Sequence, residues 1–205
     1  MSKEIRAFNF EVRAEENEEH GRFLTGQPIV YNERTDLGWY DEIIDDGALA
    51  ETDLRDVRFL INHNTDMIPL ARSRNNNANS TMQMQVVPGA GMTIRVDLDT
   101  ENNAEAKSLY SAVSRGDISG MSFMFAVNSD IWEDLDSEHP TRHIRSISKV
   151  FEVSAVTFPA YEATSINARG LSDALESAKA SLESAKAERR EIERKKQLIR
   201  ILSEV

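Results

Sequence analysis

The sequence predicts a mainly β protein with flanking helices: a barrel or strongly curved sheet over residues 1–169, then an amphipathic helical tail over 170–205. Three observations predict it. Short apolar runs between residues 23 and 158 are broken by Gly, Pro and Asn, and the clearest of them alternate with period two. Residues 171–205 contain no Gly or Pro and are rich in Ala, Glu, Lys, Arg and Leu, all strong helix formers. A chain of 205 residues that is 40% hydrophobic can bury one sizeable core and still carry an appendage.

The elements come in this order. FLTGQPIVYN (23–32) reads as strand and turn, and DVRFLI (56–61) as a buried strand. TMQMQVV (81–87) and MTIRVDLD (92–99) flank Pro88-Gly89-Ala90-Gly91 as a hairpin, with Met92, Ile94, Val96 and Leu98 inward and Thr93, Arg95, Asp97 and Asp99 outward. Asn102 or Asn103 caps a helix over 104–115, where Leu109 and Val113 stand four apart and Gly116 takes the position just past the end. ISGMSFMFAV (118–127) is a further strand. A polar loop runs from Asn128 to Thr141, and 143–158 forms one long bent strand or two in succession.

In the tail, ESAKASL (176–182) is followed by ESAKAER (183–189). Leu171, Leu175, Ala178, Leu182, Ala185, Ile192 and Ile199 then fall on one 4/3 stripe, interrupted by Arg189, Lys196 and Ser203. Such a helix, up to about 50 Å long, either takes a partner, as a coiled coil that makes a homo-oligomer through 171–205 or docked on its own body, or is a solvated terminal helix that is partly frayed. Ser172 is its expected N-cap.

Charge and composition narrow the function. Net charge is −11, and the first 170 residues hold 16 basic against 28 acidic residues, a body that repels polyphosphate; nucleic acid is not an expected partner. No apolar run approaches the ~20 residues that span a bilayer, so no membrane partner is expected, and the first twenty residues lack an apolar signal core. The absence of Cys excludes disulfides, thiol nucleophiles and Cys-based zinc sites, and suits a reducing compartment.

The remaining nucleophiles are hydroxyls, and the bases are four histidines. His20 ends the charged run EENEEH and His139 precedes Pro140 in the polar loop, so both read as surface residues; His143 opens an alternating strand as a face residue. His63 differs. It comes after the buried strand 56–61, between Asn62 and Asn64 that can hold its hydrogen bonds, a placement suited to proton transfer. Ser122 sits in an apolar strand two residues after Gly120, where a hydroxyl is costly to bury without a partner. Glu152 lies in a stretch too apolar to expose both faces, and its carboxylate requires a cation or an N–H donor, with Arg145 and Lys149 as the plain alternatives. Together the three make a complete Ser–His–Glu set: nucleophile, base and orienting acid. Ser119 is a rival nucleophile and Ser154 a rival partner near Glu152.

Ordered blocks across residues 20–169 carry a resemblance: GQPIVYN (26–32), IIDDGALAE (43–51), DVRFLINHN (56–64), IPLARS (68–73), SRGDISGMSFMF (114–125), the Trp132 loop and FEVSAVTFPAYEATSINAR (151–169). With them the chain resembles the prohead (capsid maturation) proteases of tailed bacteriophages, related in fold to the herpesvirus assemblins. The resemblance implies an assemblin-like β-barrel, a catalytic His63, Ser122 and Glu152, no metal or cofactor, and the capsid protein with its scaffold segment as substrates inside the immature prohead in the host cytoplasm. The chain departs from the family pattern at Ala71 and Met124, where Gly is frequent. The implied function is a serine endopeptidase that also cleaves itself. The alternatives are a catalytically inactive or weak internal scaffold module and a small β-barrel binding protein with a dimerising tail.

Overall fold

The computed structural model describes residues 3–8, 12–157 and 168–203. In chain order the elements are β1 (Glu4–Phe8), β2 (Arg13–Asn17), β3 (Gly21–Val30), β4 (Arg34–Asp36), β5 (Asp41–Ile44), β6 (Asp56–Ile61), β7 (Ala71–Arg74), β8 (Met82–Val87), β9 (Gly91–Asp97), α1 (Ala104–Ser114), β10 (Gly120–Glu133), β11 (Thr141–Val156) and α2 (Ala168–Ser203).

Among the described residues, eleven strands form two sheets rather than a closed barrel. In the first, β1, β10, β11, β5 and β4 are neighbours in that order, and β6 joins β11 and carries β7. The second runs β2-β3-β9-β8. The far edge of β11 is shared: β5 pairs with its start at Thr141–Ile144, and β6 with Glu152–Ala155, both in parallel. The two sheets enclose one core, in which Leu24, Ile29, Phe59, Met92, Val96, Met121, Phe123 and Val153 are buried.

Local chemistry explains the second sheet. Met82, Met84, Met92, Ile94 and Val96 all point inward, so a one-residue slip of the β8–β9 hairpin would put them in water. Gly91 has φ +125°, and a Cβ there would lie 2.0 Å from the Ile29 carbonyl oxygen, so no other residue fits. α1 is capped by Asn103, whose side chain accepts the N–H of Glu105 and Ala106, and it ends at Gly116 with φ +78°.

Besides the barrel, two expectations change. The polar segment after residue 127 is strand as far as Glu133, because β10 continues along β11 through register shifts that re-aim it, and only 134–140 is loop. The tail helix starts at Ala168, so Ser172 lies inside it rather than at its cap. The block 158–167 lies outside the described residues, as does the side chain of Leu171.

α2 docks on its own body through Leu175 to Ala185. Ala178 and Leu182 are buried against Tyr40 and Trp132, with Leu175, Ala185, Leu37 and Trp39 around them. Trp132 Nε1 donates to Ser181 Oγ at 3.0 Å, and Ser181 donates to Asp130 at 2.8 Å. Ser177 reaches Glu4 Oε1 at 3.3 Å. Beneath this contact lies a buried ionic cluster. Arg6 pairs with Glu42 and Glu4, and Arg142 with Glu4 (2.8 Å), Glu42 (3.2 Å) and Asp130 (2.6 Å). Burial alone would raise the Glu4 carboxyl, but Arg6 and Arg142 hold it below the ordinary range. Burial pushes the Tyr40 hydroxyl up to about 12. Past Ala185 one contact with the body remains, Arg189 to Asp136 at 2.9 Å; beyond it the helix is exposed, Ile192, Leu198, Ile199, Ile201 and Leu202 included.

Candidate active site

Three elements converge at one end of the first sheet. β10 and β11 run antiparallel, with Ser122 directly opposite Ser154 and Met124 opposite Glu152. Cross-strand partners and residues two apart share a face, so Ser122, Glu152 and Ser154 lie on the same side. β6 flanks β11 on the other edge, with Arg58 beside Glu152 and Leu60 beside Ser154. Met124 leaves the pairing regular from Gly120 to Met124; the first shift comes after it.

His63 arrives by a turn. Asn62 and His63 have φ of 50° and 56°, and the Asn64 N–H returns to the Ile61 carbonyl at 3.0 Å, the pattern of a type I′ turn. Asn is at home in that conformation, whereas His stands where glycine is favoured, at a cost of roughly 1–2 kcal/mol. The turn is pinned to β11. Asn62 N–H donates to the Ala155 carbonyl (3.0 Å), and the Asn62 side chain exchanges hydrogen bonds with Thr157, donating at 3.1 Å and accepting at 2.9 Å. The flanking asparagines therefore hold the turn and not the imidazole: Asn64 Oδ1 accepts the Asp66 N–H.

From that turn the ring reaches across the sheet. His63 Nε2 lies 2.5 Å from Ser122 Oγ, and Nδ1 is in a short hydrogen bond with Glu152 Oε1. The second carboxylate oxygen accepts the Ser154 hydroxyl at 2.6 Å. Ser122 and Ser154 are fully buried and Glu152 is 3% exposed. The alternative partners are elsewhere: Arg145 pairs with Asp45 and Lys149 with Asp53. Ser119 is exposed, and it is Ser122 that faces the imidazole.

Chemically, the carboxylate beside Nδ1 keeps the proton on that nitrogen and leaves Nε2 as an acceptor for the Ser122 proton. Ser122 Oγ also lies 2.7 Å from the Arg6 carbonyl oxygen on β1, a second acceptor that no sequence pattern announces. The other histidines are remote from this chain of contacts. His143, at the opposite end of β11, pairs with Asp45 at 2.9 Å; His139 pairs with Asp41 at 3.0 Å; His20 meets Arg95. Asp36 and His139, both exposed, form a polar cluster with the half-buried Asp41, which is already paired with Arg34.

The family model of the caudovirus prohead serine protease matches residues 8–178, the body and the start of the tail. The chain belongs to that family. It is thus a serine protease, a hydrolase of the class that matures phage capsids. Comparison with curated proteins and with solved structures gave no match. No helix among the described residues of this prohead protease is long and apolar enough to cross a membrane.

Proposed function

We propose that Ser122 is the nucleophile of this prohead protease, His63 its general base and then acid, and Glu152 the group that orients the imidazole. Ser122 Oγ attacks the scissile carbonyl while its proton passes to Nε2. The imidazolium, stabilised by Glu152, returns that proton to the leaving amine, and water repeats the sequence on the acyl-enzyme. One observation carries this reading: an unbroken hydrogen-bonded line from Ser122 through His63 to Glu152, in a family of serine proteases.

The substrates are the capsid protein with its scaffold segment, and the protease itself, within the immature shell. The exposed half of α2 is the assembly element. Residues 186–203 carry seven Lys/Arg against three Asp/Glu, whereas the body is strongly acidic. Its apolar residues Ile192, Ile199 and Leu202 lie three and seven apart on one side, the spacing of a helix-pairing seam, and they support self-association or binding to an acidic helical scaffold. Co-expression with the cognate capsid protein tests the chemistry. Wild type processes it and Ser122→Ala leaves it intact; equal processing by both would end the assignment.

A further inference from the structure

The Ser154 hydroxyl makes two contacts that tie the acid to the base. Its single proton goes to Glu152 Oε2 at 2.6 Å. Its lone pairs are then free to accept, and one takes the backbone N–H of His63 at 3.1 Å. The hydroxyl is fully buried, so no water competes for either contact. It also stands directly across the ladder from Ser122, which sets its position relative to the nucleophile as well.

We infer that Ser154 is a positioning residue of this protease, which locks Glu152 and the His63 turn into the one arrangement that can activate Ser122. The inference rests on the proposed roles of Ser122, His63 and Glu152. A carboxylate on a strand can rotate about its last bond, and only one orientation presents Oε1 to Nδ1. Anchoring Oε2 removes that freedom. On the other side, a backbone with two consecutive positive φ values relaxes unless something holds it. The N–H of the strained residue itself is held, by the same oxygen that holds the acid. Asn62 and Thr157 fix the outer part of the turn but touch neither the imidazole nor the carboxylate. Ser154 alone among the described residues bonds both partners of the His63–Glu152 pair.

The test uses the full chain with Ser154→Ala, and with the isosteric pair Ser154→Thr and Ser154→Val, which differ only by a hydroxyl in place of a methyl. Two readouts are taken: the low-field proton resonance of His63 Nδ1–H, which reports the His–Glu bond without any turnover, and the rate of Ser122 labelling by a fluorophosphonate. Ser154→Ala and Ser154→Val should lose or broaden the resonance. Their labelling should slow on the order of 10- to 100-fold, the scale on which losing an outer partner disables a functional His. Ser154→Thr should keep the resonance and label several-fold faster than Val. A Val variant matching Thr in both readouts, or an Ala variant matching wild type, overturns the inference. If Ala does not fold, the Thr–Val pair decides. Failure of the underlying assignment looks different: Ser122→Ala would process capsid protein like wild type, while the resonance would still report whether Ser154 holds the pair.

Discussion

Replacing Glu152 with Gln keeps the shape of the side chain and removes its charge, and the surrounding donors and acceptors determine the outcome. The carboxylate accepts twice, from His63 Nδ1–H and from the Ser154 hydroxyl. An amide can accept at one end only. If its NH2 faces Nδ1, the imidazole must carry its proton on Nε2, donate to Ser122 Oγ, and leave the Ser122 proton to the Arg6 carbonyl 2.7 Å away. Every polar group is then satisfied, so the wrong tautomer is a stable one, and the base is lost. Removing the triad carboxylate while keeping geometry costs about 10⁴-fold in turnover, or about 5 kcal/mol of transition-state stabilisation. Folding stability should change by less than about 2 kcal/mol. The assay is the rate of fluorophosphonate labelling beside the rate of capsid-protein cleavage, with the denaturation midpoint measured on the same samples. A Glu152→Gln variant that labels and cleaves within tenfold of wild type would refute the reasoning.

Other consequences are open to measurement. Arg142→Met takes the cation from Asp130 and leaves Glu4 and Glu42 with Arg6 alone, and should lower unfolding free energy by about 3–5 kcal/mol in urea; a loss under about 1 kcal/mol would mean the cluster is neutral. Tyr40 is held protonated by burial, so its folded pKa lies above the unfolded one. Its contribution is complete below pH 10 and is lost as pH climbs from 10.0 toward about 12, roughly 3 kcal/mol in all; a phenolate signal centred near pH 10 in the difference between folded wild type and Tyr40→Phe would contradict this. Glu4, held low, acts in the opposite direction: its stabilisation is present above the ordinary carboxylate pKa and fades in acid as the carboxyl takes up a proton. Glu4→Gln should flatten the acid limb of stability, and an unchanged limb counts against it. Replacing Ile192, Ile199 and Leu202 with Gln should abolish any self-association seen by light scattering while leaving labelling of Ser122 intact; unchanged mass in an associating protein would remove the tail from assembly.

The parts of this molecule written in local pattern are legible in the sequence. The β8–β9 hairpin, α1 with a cap at one of two adjacent asparagines and its Gly116 stop, and the buried strand before His63 all come from periodicity and turn chemistry; that Asn103 and not Asn102 caps the helix does not. Other features depend on contacts far apart in the chain. The extension of β10 through Asn128–Glu133 reads as loop from its residues alone, since they look like a turn until β11 supplies a partner. β11 divides one edge between β5 and β6, a division that no single segment encodes. Ser177 and Ser181, four apart on α2, hold the helix to Glu4 and Asp130, but within the Ala-rich repeat they look like solvent-facing residues. At the site, residue types suggest a set of three, whereas the distances between them depend on the fold. Ser154 has a visible signal, standing two residues from Glu152 on one strand face, but its bond to the His63 backbone depends on a turn whose left-handed His the sequence does not announce.

The most direct measurement is the site of covalent modification. Wild-type protein treated with a fluorophosphonate, digested and mapped by mass spectrometry, should carry the phosphonyl group on Ser122, and His63→Ala should carry almost none. An adduct on Ser119, or a protein that cleaves its capsid substrate while Ser122 stays unmodified, would contradict the account at its centre.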